Sequence, residues 1–411
     1  MRKINTRSFR VATRATPREV NRQIVLNLIR EHQPISRAEL ARRMNVRRAA
    51  LTEIVRELLD AREVVETGRA IAARGRRPTL LRIETSTRFA MAVDIRPTNT
   101  TLVFADFSGA ILSRDVFATP PRPSDLVAEV ADRVEKRVTT EREAGRVCQG
   151  IGVVVPGMVD RRGGRVLYAP RLGWRDVDLR DALARHVDIP VFVESAPIAC
   201  ALARLWLSPG QGAPTNSFSF AYVSISDGVG VGIVVHGEVL RGEAHTAGEF
   251  GHVSLDPFGP QCACGKRGCW EAFCCNAATS RRYVEEVAGA HAGKRNGARP
   301  GPLLPVEEIV RRAKRGERAA EASIAATGRE IGRGLAAVVS AINPKRIYLG
   351  GEITAAWDVL EKPIRDALVE GTLTSAARET PIIPDRAPGE YRVLGAVALV
   401  AAPSYAAARV G

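Results

Sequence analysis

Three cysteines and one histidine fall within eighteen residues of a chain that is otherwise poor in cysteine. They are His252, Cys262, Cys264 and Cys269. Three thiolates and one imidazole fill the tetrahedral coordination of Zn²⁺ and leave no position for water, which is typical of a structural site. Gly265 and Gly268 permit the sharp turns that such a site needs. The sequence therefore predicts structural zinc, which forces these positions together in any fold; free buried thiols beside an unrelated histidine are the alternative.

The cysteines also bear on where the chain works. There are seven, an odd number, and they cluster rather than spread, which fits a reducing cytoplasm better than a disulfide framework. We expect Cys274 and Cys275 to be buried core residues, with spare ligands or redox-sensitive thiols as the alternative. The basic N-terminus lacks the apolar stretch of a signal peptide, and no run of eighteen apolar residues occurs. We expect a cytoplasmic protein without a membrane span.

Positive charge is concentrated near the N-terminus. Of the formal net charge of +15, residues 1–85 carry +11, with 20 Arg and Lys against 9 Asp and Glu. A concentrated positive segment is the electrostatic footprint of a nucleic-acid binder. An arginine-rich composition of the whole chain would explain the charge equally well, so the residue pattern has to decide.

Three helical patterns follow one another in this segment. The first, NRQIVLNLIREHQ, ends at Pro34. Its apolar stripe consists of Ile24, Leu28 and Ile29. The second, SRAELARRM, starts at Ser36 and carries Glu39 three residues later, which is the capping box of a helix N-terminus. A tight turn at residues 45–46 leads to the third, RRAALTEIVRELLDA. Its stripe consists of Leu51, Ile54, Val55, Leu58 and Leu59. Two short helices joined by a tight turn indicate a helix-turn-helix.

Two strand patterns around a basic tip complete the module. Residues 64–65 and 80–83 indicate strands that flank a basic, glycine-containing segment, which makes a wing. In a winged helix-turn-helix the second helix lies in the major groove with its N-terminal end at the base edges, and wing arginines enter the minor groove or hold phosphates. A protein-interaction module with a solvated basic face is the alternative. The candidate DNA contacts are Arg47, Arg48, Thr52, Arg74, Arg76 and Arg77.

The rest of the chain has two similar halves. Strand patterns in RFAMAVDI, TTLVFADFSGAIL, GIGVVVPGMVD and IPVFVES are repeated in SFSFAYVSISDGVGVGIVVHGEVLRG and NPKRIYLGGEIT, and helical patterns come between. Two β-β-β-α halves favour an α/β fold, the duplicated actin-like (ribonuclease-H-like) arrangement of two lobes. We expect a winged helix-turn-helix at residues 1–85, lobe 1 at 86–195 completed by about 388–411, and lobe 2, with the zinc-binding loop, at 196–387.

Four stretches resemble the ROK family (repressors, open reading frames and kinases), in family order: VPGMVDRRGGRVLYAPRLGW, SDGVGVGIVVHGEVLRGEAHTAGEFGH, CACGKRGCWE and NPKRIYLGGE. With QPISRAELARRM and the GRRP at residues 75–78, the chain is similar to ROK transcriptional repressors of sugar metabolism. The resemblance implies zinc on the same four ligands and a homodimer or homotetramer. It also implies that Glu249 and His252, of the Glu-x-Gly-His motif, and Glu271, after the last cysteine, contact a sugar.

Two motifs that ROK kinases require are changed. The phosphate loop Asp-x-Gly-Gly-Thr corresponds to residues 94–98, where Arg96 and Pro97 replace the glycines, and proline has no N–H to offer a phosphate. The Glu-Asn-Asp-Ala motif, whose Asp is the general base, corresponds to residues 194–197, with Ala196 in the place of the base. Loss of such a base costs about 10²–10⁴-fold in rate, so we assign no catalytic residue. Ser195 keeps one hydrogen-bonding group for a ligand.

Two further features leave alternatives open. The glycine-rich turn at residues 227–232 and the Gly-Gly pair at 350–351 fit tight hairpins at least as well as nucleotide binding. Arg171, in APRLGW, favours an anionic effector such as a sugar phosphate or sugar acid, unless it is only a surface charge.

The sequence thus predicts a sugar-responsive transcription regulator, a repressor of carbohydrate metabolism genes, that binds double-stranded operator DNA as an oligomer. Its effector domain is kinase-like but catalytically inactive. One alternative is an ATP-dependent sugar kinase with a DNA-binding appendage. Another is a regulator that has lost its small ligand and answers to a partner protein.

Overall fold

The computed structural model describes residues 16–69, 78–206, 219–243, 245–291, 303–385 and 389–405. The helices are α1 (Thr16–His32), α2 (Arg37–Met44), α3 (Arg48–Asp60), α4 (Pro123–Glu143), α5 (Leu179–Ala184), α6 (Ala196–Trp206), α7 (Trp270–Cys274), α8 (Asn276–His291), α9 (Val306–Ala313), α10 (Arg318–Ile342), α11 (Trp357–Glu370), α12 (Ser375–Arg378) and α13 (Glu390–Tyr405). The strands are β1 (Ile35–Ser36), β2 (Val64–Arg69), β3 (Thr79–Ile83), β4 (Arg88–Ile95), β5 (Asn99–Asp106), β6 (Ile111–Ala118), β7 (Val147–Val155), β8 (Met158–Asp160), β9 (Arg165–Ala169), β10 (Trp174–Val177), β11 (Val191–Ser195), β12 (Phe220–Ile225), β13 (Val229–Val235), β14 (Glu238–Val239), β15 (Arg346–Gly350) and β16 (Ile382–Pro384).

The N-terminal module is a winged helix-turn-helix, as the sequence predicted. Ser36 caps α2, because its Oγ accepts a hydrogen bond from the Glu39 N–H at 3.2 Å. Asn45 ends α2 in the left-handed conformation, with φ of 53°, and the chain turns there into α3. Strands β2 and β3 form the wing, and the short strand β1 adds a third strand beside β3. Sequence reasoning missed β1, which is only two residues long.

The core of this module required one correction. Ile24, placed in the apolar stripe of α1, is 42 % exposed, and Val25 and Leu26 are buried beside Ile29 instead. The predicted stripe was therefore wrong at Ile24, whereas Leu28 and Ile29 do pack in the core. Periodicity alone does not fix which side of a helix meets the core. The stripe of α3 is buried as expected, through Leu51, Ile54, Val55 and Leu58.

Two five-stranded sheets have the same strand order. The first is β6-β5-β4-β7-β11, and the second is β14-β13-β12-β15-β16. In each sheet the first three strands, in the order given, pair antiparallel with one another. The last two run parallel to the central strand, which is β4 in the first sheet and β12 in the second. The central strands are almost continuously buried, whereas the edge strand β6 is largely exposed. This repetition confirms the duplicated fold; we call the parts built on the first and second sheets lobe 1 and lobe 2.

Helices α6 and α13 lie against each other at the junction of the lobes. Helix α6 follows the last strand of lobe 1 and packs on β12 and β13 of lobe 2, while α13 packs on β4 and β7 of lobe 1. Gly395 of α13 permits the close approach, because a Cβ there would overlap the carbonyl oxygen of Ala199 on α6. The C-terminal ends of both helices lie against α1, so the junction is connected directly to the winged helix-turn-helix.

Two hydrogen bonds make this connection. The Arg30 guanidinium on α1 donates to the carbonyl oxygen of Trp206 at 3.0 Å and lies over its ring, and the Gln23 amide donates to the carbonyl oxygen of Ser404 at 2.8 Å. Buried apolar residues of the module and of lobe 1, such as Leu26 and Phe107, belong to one continuous cluster. The module is therefore packed on lobe 1 and not merely tethered to it.

Among the described residues, no helix combines the length and the apolar character needed to cross a bilayer.

Candidate effector cleft and metal centre

The four metal-ligand candidates converge. Their ligand atoms all lie within 4.8 Å of one another. Sγ of Cys262 is 3.7 Å from Nδ1 of His252, and Sγ of Cys264 is 3.7 Å from Sγ of Cys269. A tetrahedral zinc ion with Zn–S bonds of about 2.3 Å separates its sulfur ligands by about 3.8 Å. The donor set and its spacing therefore fit Zn²⁺.

Backbone geometry explains how eighteen residues fold into this knot. Gly268 has φ of 68°, and a Cβ there would overlap the carbonyl oxygen of Asp256, so glycine is required at that turn. The Gly265 N–H donates to the carbonyl oxygen of Cys262 at 3.0 Å and closes the turn between the thiols. The knot is anchored to lobe 2 by Trp270, whose Nε1–H donates to the carbonyl oxygen of Glu330 on α10 at 2.9 Å.

The Cys262 thiol of the knot has a shifted pKa. Burial raises the pKa of Cys262 to about 12. Because zinc binds thiolate, metal binding has to release protons from this group. Cys274 and Cys275 are buried and lie outside the four-residue cluster, as expected for core cysteines.

Next to the knot, a cavity of about 120 Å³ lies between the two lobes. Glu249, His252 and Glu271 line it together. His252 faces the thiols with Nδ1, so its Nε2 remains available to a ligand. Glu271 is held by the Val229 N–H, which donates to Oε2 at 3.0 Å. Three predicted effector contacts thus share one wall of the cleft.

Burial and the charge of Glu271 raise the pKa of Glu249 to about 7. A carboxyl group near its midpoint accepts or donates hydrogen bonds, and hydroxyl groups offer both partners. This wall therefore suits a polyhydroxylated ligand.

Ser195, the fourth predicted effector contact, does not line the cavity. It is the last residue of β11 and 7 % exposed, and its N–H donates to Oε1 of Glu194 at 3.0 Å. The residues that line the cavity at this point are Ala196 and Pro197. The structure therefore does not bring Ser195 together with the other three.

The glycine-rich turn beside the cleft has a packing explanation. A Cβ on Gly228 would lie 2.6 Å from Oε2 of Glu271, and a Cβ on Gly232 would overlap the carbonyl oxygen of Pro197. At the Gly-Gly pair, Gly351 has φ of 121° and would overlap the carbonyl oxygen of Ile225. Close approach of backbone at Gly232 and Gly351, and of the Glu271 side chain at Gly228, therefore accounts for these glycines without a nucleotide.

An ion-pair network surrounds Asp94, in the stretch matched by sequence to the kinase phosphate loop. Arg96 donates through Nε to Asp94 and through Nη1 to Glu352, both at 3.0 Å. Arg392, near the start of α13, donates through Nε to the other oxygen of Asp94 at 2.7 Å. Glu352 also accepts from the Ser226 hydroxyl at 2.8 Å. Since Arg96 belongs to lobe 1 and Glu352 to lobe 2, the network joins the lobes across the cleft.

The state of Glu352 favours this link. Burial alone would raise its pKa, but hydrogen bonds, one from the Ser226 hydroxyl, and the charge of Arg96 hold the pKa of Glu352 below its usual value. The carboxylate therefore stays ionised and pairs with Arg96. Sequence reasoning recognised Arg96 only as a lost glycine and missed its partner, which is 256 residues away.

Other side chains also approach one another across the two lobes. Arg241 pairs with Glu194, and Nε2 of His245 lies 3.7 Å from Asp160. Together with Arg96–Glu352, these contacts join the described parts of the two lobes.

Three of the six DNA-binding candidates lie at the start of α3. Arg47 is the N-cap of α3 and Arg48 its first residue, and both are exposed. Thr52 is exposed one turn later, and its hydroxyl donates to the carbonyl oxygen of Arg48 at 3.1 Å. Arg74, Arg76 and Arg77 lie outside the described residues.

Comparison with known proteins addresses the whole chain. The sequence profile of the ROK family matches residues 90–402, which is most of the chain. The chain belongs to the ROK family. The profile of the MarR family matches residues 23–61, the region of the helix-turn-helix. The chain therefore combines a ROK module with an N-terminal helix-turn-helix that the MarR profile matches.

ROK regulators resemble the chain over nearly its full length. It is 25 % identical to the xylose repressor of Caldicellulosiruptor bescii over 93 % of this chain and 96 % of that one. It is 26 % identical to the DNA-binding transcriptional dual regulator NagC of Escherichia coli, covering 93 % and 92 %. A crystal structure of a ROK-family transcriptional regulator, a homologue of the E. coli MLC protein, superposes with a TM-score of 0.78 at 26 % identity, over 95 % and 97 % of the two chains.

ROK kinases resemble it over a smaller share. The ROK glucokinase of Streptomyces griseus, solved with glucose and AMPPNP, matches with a TM-score of 0.65 at 26 % identity. It covers 75 % of this chain and 98 % of the kinase. The shared part is thus the two-lobed module.

Proposed function

We propose that this ROK protein is a sugar-responsive transcriptional repressor whose kinase-like cleft senses its effector without turning it over. The observation that carries the proposal is a physical connection. A helix-turn-helix with exposed arginines is packed through α6 and α13 onto a cleft whose phosphate-loop position is occupied by Arg96. Relatives named as a xylose repressor and as a DNA-binding transcriptional dual regulator cover the same two parts.

The DNA contacts are proposed on the first module. Arg47 and Arg48 at the exposed start of α3 are placed to reach base edges in the major groove, where an Arg–guanine pair contributes roughly 1–3 kcal/mol of discrimination. Thr52 lies one turn further along the same helix. The wing residues Arg74, Arg76 and Arg77 are proposed to hold phosphates or enter the minor groove.

The effector is proposed to bind in the cleft between the lobes, with its hydroxyl groups on Glu249, His252 and Glu271. Their presence on one wall supports this assignment. Ser195 is buried beside the cavity and is no longer proposed as a direct contact.

Zinc is proposed as a structural ion on His252, Cys262, Cys264 and Cys269. When bound, it would supply a rigid cross-link with no open coordination position. The residues around the ion would position the effector contacts. His252 belongs to the knot, and Trp270, anchored to Glu330, holds the backbone of the neighbouring Glu271.

The division into domains is proposed from the two sheets. Residues 1–85 form the winged helix-turn-helix, and residues 86–195 with 388–411 form lobe 1. Residues 196–387 form lobe 2. Packing of α13 on β4 and β7 supports assigning the C-terminus to lobe 1. A homodimer or homotetramer is proposed as the binding form, which implies a pseudo-palindromic operator.

The kinase alternative is not favoured. Phosphoryl transfer relies on backbone N–H groups and a positioned base, whereas this chain has Pro97 in the loop and Ala196 at the position of the base. A coupled ATPase assay over a panel of sugars tests this point, and turnover would contradict the proposal.

Operator binding is the decisive test. Genomic footprinting of the full-length protein should recover promoters of carbohydrate genes with pseudo-palindromic sites, and the sugar handled by those genes should release the DNA in a gel-shift assay. Binding to duplex DNA that no sugar alters, but that a co-purified protein does, would favour the partner-protein alternative.

A further inference from the structure

Three arginines line the cleft, and their guanidinium groups differ in how they are paired. Arg96 and Arg392 both donate to the carboxylate of Asp94, at 3.0 and 2.7 Å. Arg171 differs: in the described part of the chain it has one ionic contact, Oε1 of Glu271, which is 3.8 Å from Nη2. That separation is beyond hydrogen-bond distance. Arg171 is therefore the arginine of the cleft for which the described residues supply no hydrogen-bond acceptor.

Burial makes this lack of partners costly. The Arg171 side chain is only 30 % exposed, and its Nε is buried without a partner among the described residues. A guanidinium has five N–H donors and no acceptor, and a buried donor left unpaired costs free energy. Such an arrangement in a binding cleft indicates that a ligand supplies the acceptor.

The position of Arg171 is fixed by its surroundings. It lies in the 3₁₀ turn Pro170–Leu172, which Gly173 ends in the left-handed conformation, with φ of 68°. The strands on either side, β9 and β10, are paired antiparallel. The paired strands therefore fix the backbone from which this guanidinium reaches the cavity.

Glu271 does not depend on Arg171. Its other oxygen, Oε2, accepts from the Val229 N–H at 3.0 Å. An incoming anion can therefore take the guanidinium without leaving the Glu271 carboxylate free of hydrogen bonds.

The chemistry of the wall defines the class of ligand. A guanidinium fork pairs with the two oxygens of a carboxylate or phosphate, and the carboxyl and imidazole groups opposite suit hydroxyls. We propose that the effector is a sugar with an anionic substituent, which Arg171 binds through paired hydrogen bonds while Glu249, His252 and Glu271 bind its hydroxyls. The inference rests on the proposed sugar cleft and adds the charge of the ligand.

Titration calorimetry on the full-length, zinc-loaded protein tests this inference. The panel pairs each neutral aldose (glucose and xylose) with its acid (gluconate, glucuronate and xylonate) and its phosphate ester (glucose 6-phosphate and xylose 5-phosphate). We expect an anionic member to bind at least about tenfold more tightly than its neutral parent. The acid and ester arms distinguish a carboxylate from a phosphate.

Variants at Arg171 separate charge from shape. Arg171→Gln should bring the ratio of anionic to neutral affinity to about one, whereas Arg171→Lys, which keeps the charge without the fork, should give an intermediate ratio. The matched control is Arg175→Gln, on the same hairpin, where the guanidinium lies over the Tyr168 ring; it should keep the preference.

Equal binding of neutral and anionic sugars by the wild-type protein would overturn the inference and leave the sugar cleft standing. So would an Arg171→Gln variant that loses both ligands equally. If no sugar of any class binds, the proposed effector cleft itself is wrong, and the inference falls with it.

Discussion

Single side chains determine the electrostatics of this cleft. At position 96 the chain has a guanidinium in the stretch matched by sequence to a phosphate loop, and that guanidinium pairs with Asp94 and Glu352. The substitution was visible in the sequence, but its partners were not, because nothing local links Arg96 to a carboxylate 256 positions later. The convergence of the four metal-ligand candidates was predictable because three of them lie within eight residues and glycines permit the turns between them.

At the residue scale, Gly268→Ala should disrupt the metal centre. The added Cβ would overlap the carbonyl oxygen of Asp256 at a positive φ, so we expect a loss of roughly 2–4 kcal/mol of stability and a lower zinc content. Thermal unfolding and elemental analysis measure both. Gly289→Ala is the control, since a Cβ there meets nothing within 4 Å on α8; it should stabilise slightly. An unchanged zinc content in Gly268→Ala would contradict the assignment of the turn.

The metal ligands give a second prediction at this scale. Cys264→Ser should lose nearly all bound zinc, because a serine hydroxyl is a poor replacement for thiolate. Zinc binding should release protons, so the affinity of the wild-type protein should fall as the pH is lowered. Competition with a chromogenic chelator at several pH values measures this. Cys148→Ser, outside the cluster, should keep full occupancy, and an equal loss in both variants would contradict the ligand assignment.

Elements were predictable where the pattern is local. The capping residue Ser36, the turn at Asn45 and the buried stripe of α3 lie within twenty-five residues of one another, and local hydrogen bonds and helical spacing specify them. Strand β1 was missed because two residues carry no period. The packing of α13 on β4 joins residues nearly three hundred positions apart, which no local pattern specifies.

The link between lobes gives a prediction for paired elements. Removing one partner of the partly buried pair, in Arg96→Gln or Glu352→Gln, should destabilise the protein by roughly 1–3 kcal/mol, because Glu352 loses its counter-ion in the first variant and Arg96 retains only Asp94 in the second. The double variant should be less destabilised than the sum, with a coupling of roughly 1–3 kcal/mol. Denaturant titrations of the four proteins measure the cycle. Additive losses would mean that the two side chains do not interact.

At the scale of the whole molecule, the contact between module and junction should transmit the effector signal. Arg30→Ala removes the hydrogen bond to Trp206 and the stacking on its ring. We expect operator affinity and effector affinity to persist while the effect of one on the other weakens about tenfold or more. Gel shifts with and without effector measure the coupling, and Lys362→Ala, exposed on α11, is the control. Full coupling in Arg30→Ala would exclude this contact as the route.

The direction of α13 has a geometric consequence. Its sixteen residues span about 24 Å at 1.5 Å per residue. Arg392 of the ion-pair network lies near its first end, and Ser404, which contacts α1, lies near its far end. A tilt of about ten degrees at the first end would displace the far end by about 4 Å, more than the 3.4 Å that separates neighbouring base pairs. In a symmetric dimer, the same displacement in both protomers would change the distance between the two recognition helices. That distance would then no longer match the spacing of successive major grooves on the DNA.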